Sequence, residues 1–255
     1  ELSDSIEVAV LSRGYKRTST GFQIYSSQST AAQFGDEPLQ LAQKFNNITV
    51  AVDANRRNGI EQLLRLRPGL KLILLDDAFQ HRWVFSDIKI LLTTYQNPYF
   101  NDCVLPSGNL RESKDGAKRA DFIVVTKCPN ELSEEARSSF QTKLKLTSSQ
   151  TGYFTSIGYP NRLVGKGSPL LVDFVKQEFV LVTGIAQPSS LLAYLDRHKA
   201  SYTHLSFSDH HRFSDTDVAR IKRIAGQNPI LTTEKDAVRL RHLLTKESFF
   251  VLGIR

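Results

Sequence analysis

Cysteine and methionine are scarce in this sequence of 255 residues, which has two cysteines and no methionine. Cys103 and Cys128 are far apart and match neither a disulfide framework nor the paired spacing of a zinc site. This usage predicts a reducing environment. Because residue 1 is not methionine and an apolar strand follows almost at once, we expect the sequence to be an internal piece of a longer protein.

Long apolar runs are also missing, since no stretch approaches the roughly 20 residues that a membrane-spanning helix needs. Hydrophobic residues make up 40% of the sequence and charged residues 23%. This composition is that of an ordinary globular protein, long enough to bury a core in one large domain or two modest ones.

Acidic residues are outnumbered, because 33 Lys and Arg against 26 Asp and Glu give a formal net charge of +7. The excess favours an anionic partner, which could be nucleic acid, a nucleotide or an acidic membrane surface. The one tryptophan, Trp83, and the other aromatic residues form no stacking platform among the basic residues. We therefore predict no nucleic-acid partner and rank a nucleic-acid-binding module last.

Short β-rich runs alternate with helical patterns, which predicts an α/β fold with a doubly wound, mainly parallel sheet. LILL at 72–75 and FIVV at 122–125 lack polar alternation, so we expect central strands covered on both faces. Strands are predicted at Val8–Leu11, Ile48–Val52, Leu72–Leu75, Ile88–Thr93, Phe122–Thr126, Phe179–Thr183 and Ile230–Thr233. Helices are predicted at Glu37–Phe45, Gly59–Arg67, Ser133–Leu146, Ser189–Lys199, Asp215–Ala225 and Asp236–Leu243.

The patterning weakens after residue 150, where glycine and proline recur, and a new strand–helix alternation then begins. We predict a larger N-terminal α/β lobe at residues 1–150, a linker at 151–178 and a second, smaller α/β lobe at 179–255. The cleft between two such lobes is the default ligand site.

Two aspartates, Asp76 and Asp77, directly follow the predicted strand Leu72–Leu75. An apolar strand that ends in aspartate is typical of the Walker B arrangement, in which a carboxylate holds Mg²⁺ against nucleotide phosphates. Hard Mg²⁺ prefers such oxygen ligands. The alternative is that both aspartates cap the next turn, and the segment alone favours neither interpretation.

Two other segments carry candidate acid–base groups. Asp36 stands before a predicted helix with Pro38 in the first turn, so the residues alone favour a helix cap, which does not exclude catalysis. Asp209, His210 and His211 follow a predicted strand and suit metal binding or acid–base work. The alternative for this triplet is a solvated loop.

Basic residues also stand at predicted strand ends, as Arg13 and Arg56 do, with Arg111 as a further candidate. Arginine pairs well with phosphate, although a solvated basic face would look the same. Residues 232–236 (TTEKD) end another strand and could hold a purine base. A helix cap at Asp236 explains most of that pattern without a ligand.

Nine segments together resemble the tetraacyldisaccharide 4'-kinase family, in the order in which that family has them. The resemblance covers nearly the whole sequence and implies a P-loop-type kinase. Such an enzyme transfers the γ-phosphate of ATP, with Mg²⁺, to the 4'-hydroxyl of tetraacyldisaccharide 1-phosphate in lipid A biosynthesis. The segments are LSRGYKR, GDEP, VAVDANRRNG, LLDDAFQHR, LPSGNLRES, RADFIVVTK, GIAQP, SDHHRF and TTEKDAVRL.

The resemblance also implies residue roles. Asp36 corresponds to the proposed catalytic base of the family and His210 to its dyad partner. Asp76 and Asp77 are implied as the Walker B carboxylates near Mg²⁺. The remaining implied positions are Glu112 at the metal and phosphate site; Gln80, His81, Thr233, Glu234, Lys235 and Asp236 at the nucleotide; and Arg13, Tyr15, Arg56 and Arg111 at the lipid disaccharide and its phosphate.

One family motif is missing, because GxxxxGK[ST] does not occur in the sequence. The resemblance implies that it lies just upstream of residue 1, with a hydrophobic N-terminal helix that helps to hold the membrane. The implied partners are the tetraacyldisaccharide 1-phosphate lipid, ATP and the membrane surface. The implied location is the cytoplasmic face of the bacterial inner membrane.

A metal-dependent phosphoesterase is the alternative function, because an Asp–His–His triplet is a signature of one such family. In that enzyme an Asp/His cluster would bind two metals. Against it, the SRGYKR, GDEP and TTEKDA segments would have no role. The cluster would consist of Asp76, Asp77, His81, Asp209, His210 and His211.

Overall fold

The structure, a computed structural model, describes residues 2–244 and 248–255. Parallel strands with helices between them make up this part of the chain, so the predicted α/β class is confirmed. The strands are β1 (Val8–Ser12), β2 (Gln23–Ile24), β3 (Thr49–Val52), β4 (Leu72–Leu75), β5 (Ile90–Thr94), β6 (Phe122–Cys128), β7 (Thr151–Ser156), β8 (Phe179–Thr183), β9 (Tyr202–Ser206), β10 (Ile230–Thr233) and β11 (Phe249–Leu252). The α-helices are α1 (Ala31–Phe34), α2 (Asp36–Lys44), α3 (Arg56–Leu66), α4 (Glu134–Leu144), α5 (Leu171–Phe174), α6 (Ser189–Arg197), α7 (Asp215–Ala225) and α8 (Glu234–Leu240).

The chain divides into two compact units, one of Glu1–Asp77 with Tyr159–Arg255 and one of Ala78–Gly158. The first unit has two four-stranded sheets, with strand orders β2-β3-β1-β4 and β11-β10-β8-β9. The second unit has a three-stranded sheet of order β5-β6-β7. Among these strands only β2 runs antiparallel to its neighbour, β3. The lobe boundaries that the sequence suggests at residues 150 and 179 stay a prediction.

The first sheet is covered on both faces, and its central strands β1 and β3 are mostly apolar. Every residue of β1 is buried. Val10 packs with Leu39 of α2 on one face, and Leu11 packs with Leu63 of α3 on the other. Gly59 permits the close approach of α3, since a Cβ at that position would lie 2.8 Å from a Leu11 methyl carbon.

The second sheet of the same unit is built in the same way, with β8 and β10 buried at its centre. Leu181 packs with Leu195 of α6 on one face, and Val182 packs with Ile221 of α7 on the other. Successive side chains of a strand point to opposite faces, so the four apolar residues of β8 serve both cores. Contacts between α2 and α8 connect the two sheets of the unit.

The sequence prediction differs from the structure mainly at sheet edges. LILL at 72–75 forms β4, an edge strand in which Leu74 is 47% exposed, so the prediction of a central strand was wrong there. Residues 122–128 do form a central strand, β6. The strands that the sequence did not predict, β2, β7, β9 and β11, are all edge strands. The region predicted as a linker, 151–178, contains β7 and the short helix α5.

Candidate functional site

A cavity of about 300 Å³ in the first unit is lined by both residues of the predicted dyad, Asp36 and His210. Tyr15, predicted to contact substrate, lies on the same wall with its ring edge-on to His210 at a centroid distance of 6.5 Å. Three basic side chains, those of Lys16, Arg212 and Arg239, also line it. The cavity thus combines a carboxylate, an imidazole and several cations.

Asp36 is the first residue of α2, and the helix cap is Gly35 rather than Asp36. Gly35 has a φ of +97°, a conformation that residues with a Cβ rarely adopt. The cap therefore leaves the Asp36 side chain free to face the cavity. The partial positive charge at the start of a helix favours a carboxylate at this position.

His210 is held by the loop that follows β9. Its φ is +57°, and its backbone N–H donates to Oδ1 of Asp209 at 3.1 Å. The next residue, His211, packs between Phe207 and Phe213 and lies with Nε2 3.0 Å from Oδ2 of Asp217. These contacts direct the His210 ring inward, where Nδ1 lies 3.1 Å from Oδ2 of Asp36.

Lys235 completes this cluster, although its implied role is at the nucleotide. Its ammonium group lies 3.2 Å from Nε2 of His210 and 3.1 Å from Oδ1 of Asp209. Burial raises the pKa of Asp209, but the contacts with Lys235 and His210 together hold that pKa below its ordinary value. Lys235 is therefore tied to the dyad by direct contacts.

Arg239 is a residue of the site that the sequence analysis did not select. It lies one helical turn after Lys235 on α8, a spacing that places both side chains on one face and is the signal that could have found it. Nη1 of Arg239 lies 3.6 Å from Oδ2 of Asp36 and donates to the carbonyl of His211 at 3.0 Å. Its guanidinium thus borders the dyad.

The other residues predicted at the nucleotide, Thr233, Glu234 and Asp236, make contacts within the fold. Asp236 is fully buried and accepts hydrogen bonds from the Gly184 N–H at 2.9 Å and the Thr233 hydroxyl at 2.8 Å. Glu234 pairs with Lys44 of α2 at 2.9 Å. Their role at the nucleotide stays a prediction.

The two Walker B candidates lie at the end of β4. Asp76 accepts a hydrogen bond from the Ser12 hydroxyl at 2.8 Å, which orients one of its carboxylate oxygens. Asp77 has a φ of +46°, a left-handed conformation in which the chain turns sharply away from the strand. Side-chain oxygens at a strand end are the donor set that Mg²⁺ prefers.

Arg56, predicted to bind substrate, is only 2% exposed. It donates to the carbonyls of Asp53 at 2.6 Å and Asp76 at 3.0 Å. Burial lowers the pKa of Arg56, and the charge of Asp76 opposes that shift. Arg56 therefore positions the end of β4, and its contact with substrate stays a prediction. Arg13 is exposed.

The second unit carries the remaining predicted residues. Glu112 pairs with Arg119 at 2.7 Å, and Arg111 is exposed beside it. Gln80 is exposed. Nδ1 of His81 is buried, and it has no hydrogen-bond partner among the residues that the structure describes.

Two features are absent from residues 2–244 and 248–255. No group of three or more His, Cys, Asp or Glu side chains in that part of the chain is arranged to hold a metal ion. None of its helices combines the length and the apolar character that crossing a membrane requires.

Known proteins similar to this chain agree on one family. The family described as "LpxK: Tetraacyldisaccharide-1-P 4'-kinase" matches residues 2–255. The tetraacyldisaccharide 4'-kinase of Flavobacterium johnsoniae is 46% identical over 255 residues, which cover all of this chain and 74% of that protein. The same enzyme of Bacteroides fragilis is 43% identical over 252 residues, covering 94% of this chain and 67% of that protein.

A solved structure resembles this chain over nearly the whole length of this chain. The "apo" form of LpxK from Aquifex aeolicus in complex with ATP superposes with a TM-score of 0.73 at 26% identity. The match covers 99% of this chain and 75% of that one.

Proposed function

The chain belongs to the tetraacyldisaccharide-1-P 4'-kinase family, and we propose that Asp36, oriented by His210, is the base of its phosphoryl-transfer step. The activity is ATP-dependent phosphorylation of the 4'-hydroxyl of tetraacyldisaccharide 1-phosphate in lipid A biosynthesis. The observation that carries the proposal is the 3.1 Å contact between Nδ1 of His210 and Oδ2 of Asp36 on the cavity wall.

A carboxylate in this position can serve as the general base in phosphoryl transfer. Transfer needs mainly positioning and charge neutralisation, with one group to accept the proton of the attacking hydroxyl. Asp36 can receive that proton, while His210 holds the carboxylate in one orientation. Lys16, Arg212 and Arg239 place positive charge around a site that must accept anionic groups.

Mg²⁺ and the nucleotide phosphates are proposed to lie at Asp76 and Asp77, and for Glu112 we keep the metal role that the family resemblance implies. The two aspartates fit, because Mg²⁺ usually binds one or two protein carboxylates together with phosphate oxygens and water. The Ser12 hydroxyl already orients one Asp76 oxygen. When bound, Mg²⁺ would neutralise charge on the phosphate oxygens.

The remaining family positions are proposed ligand contacts. Basic groups suit the substrate, whose phosphate is anionic, and the excess of 33 basic over 26 acidic residues suits an anionic membrane surface. The proposed location is the cytoplasmic face of the inner membrane, as the family resemblance implies. The proposed nucleotide contacts are Gln80, His81, Thr233, Glu234, Lys235 and Asp236, and the proposed lipid contacts are Arg13, Tyr15, Arg56 and Arg111.

The phosphoesterase alternative has no support from the family to which the chain belongs. Of its six proposed metal ligands, His210 and Asp209 contact Lys235 instead, and His211 contacts Asp217. A lysine ammonium beside two candidate ligands opposes a cation at that point.

The test is transfer of labelled γ-phosphate from ATP to tetraacyldisaccharide 1-phosphate in detergent, with the full-length protein. We expect Asp36→Asn to lower kcat about 10²-fold to 10⁴-fold, the usual contribution of a general base. The matched control is Asp173→Asn, because Asp173 is an exposed aspartate paired with Lys176 on the surface. The control should transfer label at the normal rate.

Two results would count against the proposal. Label transfer by Asp36→Asn at the rate of the unmodified protein would remove Asp36 from the base role. A rise in KM with kcat unchanged would make Asp36 a binding residue only.

A further inference from the structure

We propose that Lys235 is a positioning residue that fixes His210 as the neutral imidazole with its proton on Nδ1. The inference deepens the proposed function and rests on it, because it concerns how the base Asp36 is oriented. No motif in the sequence indicates it, since the TTEKDA segment suggests a nucleotide contact for Lys235.

The donor and acceptor inventory of the three side chains supports the assignment. A lysine ammonium has three N–H donors and no acceptor, so Nε2 of His210, at 3.2 Å, must be the acceptor in that contact. A neutral imidazole with a lone pair on Nε2 carries its proton on Nδ1. Nδ1 then donates to Oδ2 of Asp36 at 3.1 Å. In the opposite tautomer both contacts would fail.

The geometry around Lys235 holds the ammonium group in place. Its side chain is 22% exposed, and Oδ1 of Asp209 accepts its hydrogen bond at 3.1 Å. Oε1 of Glu37, the residue after Asp36, lies 3.9 Å away. The backbone position is fixed too, because Thr233 caps α8 through the N–H of Asp236. The Lys235 ammonium group, with the carboxylates of Asp209 and Glu37 beside it, is therefore well placed to donate to Nε2 of His210.

The tautomer determines which group can take the substrate proton. With Nε2 engaged by Lys235 and Nδ1–H donated to Asp36, His210 has no free lone pair for the hydroxyl proton. The proton must therefore go to the Asp36 carboxylate.

The direct test is two-bond ¹H–¹⁵N correlation NMR of the full-length protein labelled at histidine, which distinguishes protonated from unprotonated ring nitrogens. We expect Nδ1 of His210 to be protonated and Nε2 unprotonated. Lys235→Met should lose that single tautomer, whereas Lys235→Arg, which keeps a donor, should retain it. His210→Gln assigns the resonance. A spectrum with Nε2 protonated in the unmodified protein would overturn the inference.

Kinetics supply the second measurement. We expect Lys235→Met to lower kcat about 10-fold to 100-fold with a smaller change in KM for ATP, and Lys235→Arg to recover part of the loss. The control is Lys176→Met, a surface lysine paired with Asp173 at 2.7 Å. Circular dichroism and melting curves check that each variant folds.

The outcomes separate this inference from the proposed function. An unchanged tautomer and kcat in Lys235→Met would refute the positioning role, whatever Asp36 does. A rise in KM for ATP with kcat and the tautomer unchanged would leave Lys235 as a nucleotide contact alone and would also overturn the inference. Full activity of Asp36→Asn would refute the base, while the tautomer spectrum would still show whether Lys235 sets the proton on His210.

Discussion

Arg239 lies with Nη1 3.6 Å from Oδ2 of Asp36, on the wall of the same cavity. The same guanidinium donates at 2.5 Å to Oδ1 of Asp236, which is fully buried. One side chain thus joins the proposed base to the start of α8. Because it is only 7% exposed, its charge is poorly screened by solvent.

Arg239→Met should destabilise the fold by about 3–5 kcal/mol, because it leaves the buried carboxylate of Asp236 without its cation. Urea unfolding followed by circular dichroism measures the change. Arg57→Met is the control, since Arg57 is 80% exposed and pairs only with Glu61 on the helix surface. The control should change stability by less than about 0.5 kcal/mol. A loss below about 1 kcal/mol for Arg239→Met would mean that Asp236 is stabilised by its other hydrogen bonds.

The site could be predicted in parts from the sequence, because some of its residues stand in short local patterns. Asp36 follows a glycine before a helix, and His210 follows an aspartate after a strand, so each is recognisable within its own segment. Their contact joins residues 174 positions apart, which no local pattern encodes. Arg239 was missed because a single arginine inside an amphipathic helix is ordinary.

The fold shows the same division between local pattern and tertiary context. Strands buried on both faces, such as β1 and β8, have nearly continuous apolar sequences and could be predicted. Some edge strands are partly exposed and interrupted by polar residues, as TGYFTS of β7 is. β4 looks central in sequence yet lies at an edge, because hydrophobicity does not report the number of neighbouring strands.

Arg56 offers a test between a positioning role and a substrate contact. Its side chain is buried and donates to the carbonyls of Asp53 and Asp76, so Arg56→Met should lower the free energy of unfolding by about 3 kcal/mol. Chemical denaturation measures this loss. If Arg56 instead binds substrate without supporting the fold, the variant will melt normally and show only a raised KM for the lipid.

The contact between Asp36 and His210 predicts strong coupling in kinetics. We expect Asp36→Asn and His210→Gln each to lower kcat, and the double variant to be little worse than Asp36→Asn alone, because residues that act as a unit are not additive. Single-turnover phosphoryl transfer measures the four rates of this cycle. Additive losses would show that the two side chains contribute independently, despite their 3.1 Å separation.

Ser214 and Asp217 form a capping box at the start of α7, next to the loop that carries His210. The charge of Asp217 makes the stability of this region depend on pH. Hydrogen bonds from the Ser214 hydroxyl and N–H, followed by His211, lower the pKa of Asp217 from 3.8 to about 2. A carboxylate whose pKa is depressed by folding stabilises the protein above the unfolded value. That contribution is fully present above about pH 4 and is lost as the pH falls towards 2. After allowance for solvent screening it amounts to about 1 kcal/mol.

Asp217→Asn should therefore unfold more easily than the unmodified protein at pH 6, and the difference between the two should shrink between pH 4 and pH 2. Unfolding free energies from urea titrations across that range measure both curves. Asp173→Asn, which removes an exposed carboxylate, controls for the change in net charge. A difference that stays constant down to pH 2 would mean that packing of α7, rather than the charge of Asp217, holds the loop.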